Sequence, residues 1–228
     1  AQGAQIVPYR TLPEALVNLR QMVAEQTGKA CYYLYFPDID SVCHDYGPDS
    51  PQVEAEIDAF LGVLERHLLI PAERTLPRTL ILITADHGQT AVRPETTIYL
   101  NLHPDFARLR PLLRTDRRGN VLVPGGSPRD VFLYVRDECL DEAEALLRRM
   151  LDGRADVVRT ADLVAQGLFG GEPCPALSSR LSPLVILAHP GETVWWYEKD
   201  RFEQKFRGHH GGLSADEMLT PLLALPCS

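Results

Sequence analysis

An α/β fold, a mostly parallel sheet flanked by helices, is what this 228-residue sequence predicts, and three observations predict it. The run Leu80-Ile81-Leu82-Ile83 is continuously apolar, as in strands buried on both faces of a parallel sheet. The aromatic-rich run Ala30-Cys31-Tyr32-Tyr33-Leu34-Tyr35-Phe36 is a second strand signal. Between them, over about 51–69, Val53, Ile57, Phe60, Leu61 and Leu64 recur at helical spacing. Strand, long helix and strand in this order make a βαβ unit, whose crossover gives parallel pairing.

The first helix opens at Thr11-Leu12-Pro13-Glu14, with Thr at the N-cap, Glu three residues on and Pro in the first turn. Leu16, Leu19, Met22 and Val23 form its apolar stripe, and Gly28 can cap its end. Pro71 and Pro77 frame a short connection into the strand at Leu80. Further on, the pattern predicts strands over 96–102, 131–135 and 156–158, with helices over 105–113, 141–151 and 160–166. A loop follows over 167–183, then strands over 184–188 and 193–197 joined through Pro190-Gly191 as a hairpin-like return. Residues 219–225 close the chain as a helix turn or a strand. With no internal repeat and no linker, residues 1–228 read as a single domain.

The net charge is −8 and the basic residues are scattered, which argues against a nucleic-acid backbone as partner. A small phosphate ester held by metal ions remains compatible with that charge. No apolar run approaches the roughly 20 residues of a membrane helix. The five cysteines are odd in number and include no Cys-x-x-Cys pair, so neither a disulfide framework nor a cysteine zinc site is indicated. Thiols of that kind suit a reducing, cytoplasmic compartment, with an extracytoplasmic location open for a longer parent protein. The start at Ala1-Gln2-Gly3 is neither a signal peptide nor a Met start, and reads as a trimmed chain or a fragment. Oligomeric state is not legible.

Three segments carry chemistry. Asp86 and His87 follow the apolar strand directly, and Gly88 ends it, at the strand end where open α/β sheets place ligands. Asp40 and His44 would lie about 13 Å apart in an extended chain but share a face within one helical turn. The third segment is His209-His210-Gly211-Gly212, where adjacent imidazoles cannot easily both point at one ion. Carboxylate and imidazole donors without thiolate suit zinc, with manganese or iron possible. Two further segments have open readings. Gly125-Gly126-Ser127-Pro128-Arg129-Asp130 is either a structural turn or a phosphate cradle using Arg129. Trp195-Trp196-Tyr197 is either a half-buried strand or a platform for stacking a base.

The motif order Asp-x-x-x-His-x-x-Gly-Pro (40–48), Thr-Ala-Asp-His-Gly (84–88) and Gly-x-His-Gly-Gly (from Gly208) resembles the alkaline phosphatase superfamily. Within it, the sequence is most similar to the type I phosphodiesterase/nucleotide pyrophosphatase branch. The resemblance implies a hydrolase of phosphodiester or pyrophosphate bonds with two divalent ions, most often zinc, acting on a small phosphate ester or nucleotide. Asp40, His44 and His210 match the ligands of one ion, Asp86 and His87 two ligands of the other. His210 fits because it directly precedes Gly-Gly; His209 falls beside the metal or on the substrate side. The family's Thr or Ser nucleophile and one further Asp precede the first motif, and no segment before Asp40 matches them. The chain is therefore expected to be the C-terminal portion of a larger catalytic domain, with its nucleophile upstream of Ala1. Alternative readings are a phosphomonoesterase, phosphomutase or sulfatase of the same superfamily, or a catalytically incomplete metal-binding module.

Overall fold

The computed structural model describes residues 3–76, 78–170, 174–178 and 180–227. Ala1, Gln2 and Pro77, named above, lie outside the described residues, as does part of the loop expected over 167–183. The chain divides into two compact units, Ala1–Asp86 with Thr220–Ser228, and His87–Leu219.

In the first unit, α1 (Leu12–Glu25) starts as its sequence predicts. Thr11 accepts the Glu14 backbone N–H, and Glu14 accepts in return from the Arg10 N–H at 3.0 Å. Its C-cap is Gln26 rather than Gly28. Next come α2 (Asp38–Tyr46) and α3 (Pro51–Leu64), the latter capped by Ser50 and continued by a π-helical turn at Glu65–Leu69 into α4 (Ile70–Thr75). Leu12, Leu16, Leu64, Leu68, Ala72 and Leu76 form the core of this unit, with Ile81 and Ile83 packed against it. Strand β1 (Thr79–Thr84) pairs antiparallel with the closing strand Leu222–Cys227, Leu82 opposite Ala224.

Two expectations change here. Leu80 and Leu82 are 59% and 58% exposed, so β1 is buried on one face only. With a single neighbouring strand among the described residues and core on one side, its alternate residues face out; a short apolar run cannot distinguish that case from a strand covered on both sides. The stretch 30–36 makes no strand ladder among the described residues, and Tyr33 is 84% exposed. Its loss removes the predicted parallel βαβ unit.

In the second unit, β2 (Thr90–Ala91) and β3 (Ile98–Tyr99) precede the short helix α5 (Phe106–Leu109). The hairpin β4 (Gly125–Ser127) and β5 (Asp130–Leu133) turns through Pro128-Arg129. Then come α6 (Leu140–Met150), β6 (Ala155–Arg159), α7 (Thr160–Ala165), α8 (Pro175–Ser178) and β7 (Leu184–Ala188). The four-stranded sheet β4-β5-β7-β6 is antiparallel throughout, with Val131 and Val157 both opposite Ile186. Ala143, Leu146, Leu147 and Met150 recur on one face of α6 and belong to the same buried core as this sheet. Burying the last three side chains fully is worth about 1.5–3 kcal/mol each.

The α/β class and the helix-flanked sheet thus hold, while pairing direction differs from the expected mostly parallel sheet. Among the described residues the parallel pair is β3 with β8 (Val194–Trp195), Ile98 opposite Val194. For the same reason the return through Pro190-Gly191 is not a hairpin: β7 pairs with β5 and β6, and β8 with β3.

Candidate functional site

In the first unit, α2 carries Asp40 and His44. Gly47, at φ 88°, ends the helix. The four-residue spacing puts His44 Nε2 3.6 Å from Asp40 Oδ2. Their side chains are 36% (Asp40) and 15% (His44) exposed, partly desolvated yet open to an ion. Burial, with the Asp40 charge adding to it, pushes the neighbouring Cys43 thiol above its ordinary value. Cys43 is then a neutral thiol rather than a competing thiolate ligand. Asp86 follows the end of β1 and is exposed.

In the second unit the sequence-distant His87 and His210 come together. Their rings stack with centroids 3.7 Å apart and planes 13° from parallel. His87 Nδ1 lies 3.1 Å from the Gly88 carbonyl. A carbonyl only accepts, so this contact needs the proton on Nδ1 and leaves the lone pair at Nε2, an arrangement typical of metal-ligating histidines. The Gly88 N–H donates to Glu217 O at 2.8 Å, and a Cβ on Gly88 would sit 2.0 Å from the Asp216 carbonyl oxygen. Glycine is required there by close backbone approach.

The His210 loop is held from several sides. β9 (Gly208–His209) pairs antiparallel with β2, Thr90 opposite His209. His209 is buried in that ladder, and its Nδ1 accepts the His210 backbone N–H at 3.2 Å. Ser127 Oγ, from the β4–β5 hairpin, lies 3.2 Å from the His210 carbonyl. Gly211 has φ +112°, and a Cβ there would meet Ser127 Oγ at 2.5 Å. The first glycine after His210 is therefore fixed both by conformation and by space.

The Gly125–Asp130 segment is a structural turn rather than a phosphate cradle. Arg129 is fully buried, its fork bonded to Glu217 and its Nη1 to the carbonyls of His189 and Glu192. Glu217, in α9 (Ala215–Met218), was not singled out from sequence. The only available signal was a Glu five residues past a Gly-Gly pair, which the chain makes significant only by folding. Trp195 and Trp196 pack edge-on against Phe202 and Phe106 and border the core, the half-buried strand account.

The scaffold with these motifs is of the alkaline phosphatase type, as solved structures indicate. Human ectonucleotide pyrophosphatase/phosphodiesterase 5 matches with TM-score 0.67 and 21% identity over 96% of this chain and 54% of that one. The murine protein, in an inactive form in complex with AMP, matches with TM-score 0.64 and 20% identity over the same shares. Phosphonoacetate hydrolase from Sinorhizobium meliloti 1021, in complex with phosphonoformate, matches with TM-score 0.54 and 20% identity over 81% of this chain and 43% of that one. The chain belongs to the type I phosphodiesterase/nucleotide pyrophosphatase family, whose sequence model matches residues 10–213. It spans about half the length of the first two structures, at 54%. No curated protein sequence matches it. Among the described residues, no helix is long and apolar enough to cross a membrane.

Proposed function

We propose that this chain contributes the metal-binding part of a hydrolase of phosphodiester or pyrophosphate bonds. The observation that carries the reading is the family match across 10–213, which takes in all three motifs in their expected order. In this reading Asp40, His44 and His210 hold one divalent ion, and Asp86 and His87 help hold a second. Three imidazoles and two carboxylates suit zinc, with manganese or iron also compatible. The stacked pair brings together two imidazoles read as ligands, and ions in two-metal sites lie about 3.5–4 Å apart. Such ions, when bound, neutralise charge on phosphoryl oxygens and lower the pKa of a bound hydroxyl or water.

The chain's own part is to present these donors pre-oriented, with the His87 proton placed on Nδ1 by the Gly88 carbonyl. The nucleophile is a Thr or Ser from outside these 228 residues, and both units belong to one larger catalytic domain. AMP in the murine relative favours a nucleotide-sized phosphate ester as substrate. The five free thiols fit a reducing compartment.

The test is a polypeptide containing this chain and its upstream coding sequence, assayed on bis-p-nitrophenyl phosphate and p-nitrophenyl phosphate. Faster diester turnover that is lost on chelation and restored by Zn2+ is expected. Turnover indifferent to chelation would refute the reading, and a monoester preference would move it to the phosphomonoesterase branch.

A further inference from the structure

Glu217, one half of the buried pair Arg129–Glu217, is bonded to the backbone close to both His87 and His210, although neither residue of the pair is a candidate ligand. Glu217 accepts from Arg129 with both oxygens, at 2.9 and 2.8 Å. Its Oε1 also accepts the Gly212 N–H at 2.9 Å, two residues beyond His210, and its Oε2 accepts the Ser214 hydroxyl at 2.6 Å. Through its main chain, the same residue accepts the Gly88 N–H at 2.8 Å, next to His87. Arg129 anchors this glutamate to the sheet from the β4–β5 hairpin, and that hairpin also places Ser127 against the His210 carbonyl. One residue thus ties down the backbone near both imidazoles, by its carboxylate at Gly212 and by its main-chain carbonyl at Gly88.

We propose that Arg129 and Glu217 are positioning residues that set the geometry of His87 and His210. This rests on the reading of those two histidines as metal ligands. The physical case has two parts. A carboxylate that accepts four hydrogen bonds, two of them from a rigid guanidinium fork, has no rotamer freedom to spare. Burying an Arg–Glu pair gains little stability over apolar replacements, so the effect assigned to it here is the geometry it imposes. Outer partners of this kind are worth roughly 10–100-fold in metal affinity.

The experiment compares the metal-free chain with Glu217→Gln, recording the ring resonances of His87 and His210 by NMR, and then titrates each protein with Zn2+. Stacked rings shift one another's resonances, so this readout is independent of any metal. The proposal expects the variant to melt cooperatively, to lose the mutual ring shifts, and to bind Zn2+ about 10–100-fold more weakly. A folded variant with wild-type ring shifts overturns it. If Glu217→Gln does not fold, the double variant Arg129→Met/Glu217→Leu removes both charges together and is read in the same way. Glu144→Gln, which breaks the ion pairs of α6 Glu144 with Arg148 and Arg159, should leave the rings unchanged; the same shift there would also overturn the proposal. If the wild-type chain fails to bind Zn2+, the metal reading falls while the ring shifts still decide the positioning role.

Discussion

The two pairs of candidate ligands are held in opposite ways. Asp40 and His44 are neighbours because α2 makes them so; the 3.6 Å between them follows from a four-residue spacing. His87 and His210 come from opposite ends of the second unit, and their 3.7 Å stack depends on buried bonds contributed by the β4–β5 hairpin and α9. A local pair survives as long as its helix does. A non-local pair needs a support network, and damage to that network should reach the pair without touching it.

That contrast can be broken most forcefully at Arg129. Arg129→Ala leaves the Glu217 carboxylate buried and without its guanidinium, and should destabilise the second unit by about 3–5 kcal/mol. Urea unfolding followed by a probe in that unit measures it. A loss under about 1 kcal/mol, the scale of an exposed ion pair, would remove the contrast.

Gly88→Ala comes next. The new methyl group meets the Asp216 carbonyl oxygen, and overpacking of this kind costs about 1–3 kcal/mol. Zn2+ affinity should fall along with the melting temperature, because His87 moves with its neighbour. The equivalent change on α2, at Ser41, should do neither.

The acid limb of stability gives a smaller and more specific effect. Burial raises the Glu217 carboxyl, but hydrogen bonds from Arg129, Ser214 and Gly212 outweigh it and hold the group below its ordinary value. A depressed folded value means stability that is present above the ordinary glutamate range and lost as pH falls through the folded value. Wild-type stability should therefore drop on acidification below about pH 4.3, and Glu217→Gln should flatten that slope. An unchanged slope would place the acid-sensitive group elsewhere.

The smallest expected effect lies far from both pairs. Thr11→Ala removes the N-cap of α1 and should cost about 1 kcal/mol, with no change in Zn2+ binding. A thermal melt paired with a Zn2+ titration checks both halves of that statement.

The same division explains what the sequence made legible. Thr11, Ser50 and the α6 stripe act through neighbours within a turn or two, so their roles can be read from spacing. The α2 placement of Asp40 and His44 is of this kind. The family resemblance, now supported by the match over 10–213, likewise rests on short motifs. What failed depends on partners far away in the chain. The direction of β1 is set by a closing strand that arrives only after the whole second unit, and an apolar run carries no record of that. Tyr33 and Tyr35 have strong strand propensity, but a propensity makes no strand without a ladder partner. Glu217 is an ordinary surface-type residue by composition; only the arrival of Arg129 from 88 positions away makes it a buried anchor.

The central claim, that Asp40, His44, Asp86, His87 and His210 hold divalent ions, is tested most directly by elemental analysis of the chain after equilibrium dialysis against Zn2+. Wild-type chain should retain zinc, and folded His210→Ala should lose the first site, its affinity falling more than about 100-fold, beyond what outer partners are worth. Full zinc occupancy in His210→Ala would contradict the account.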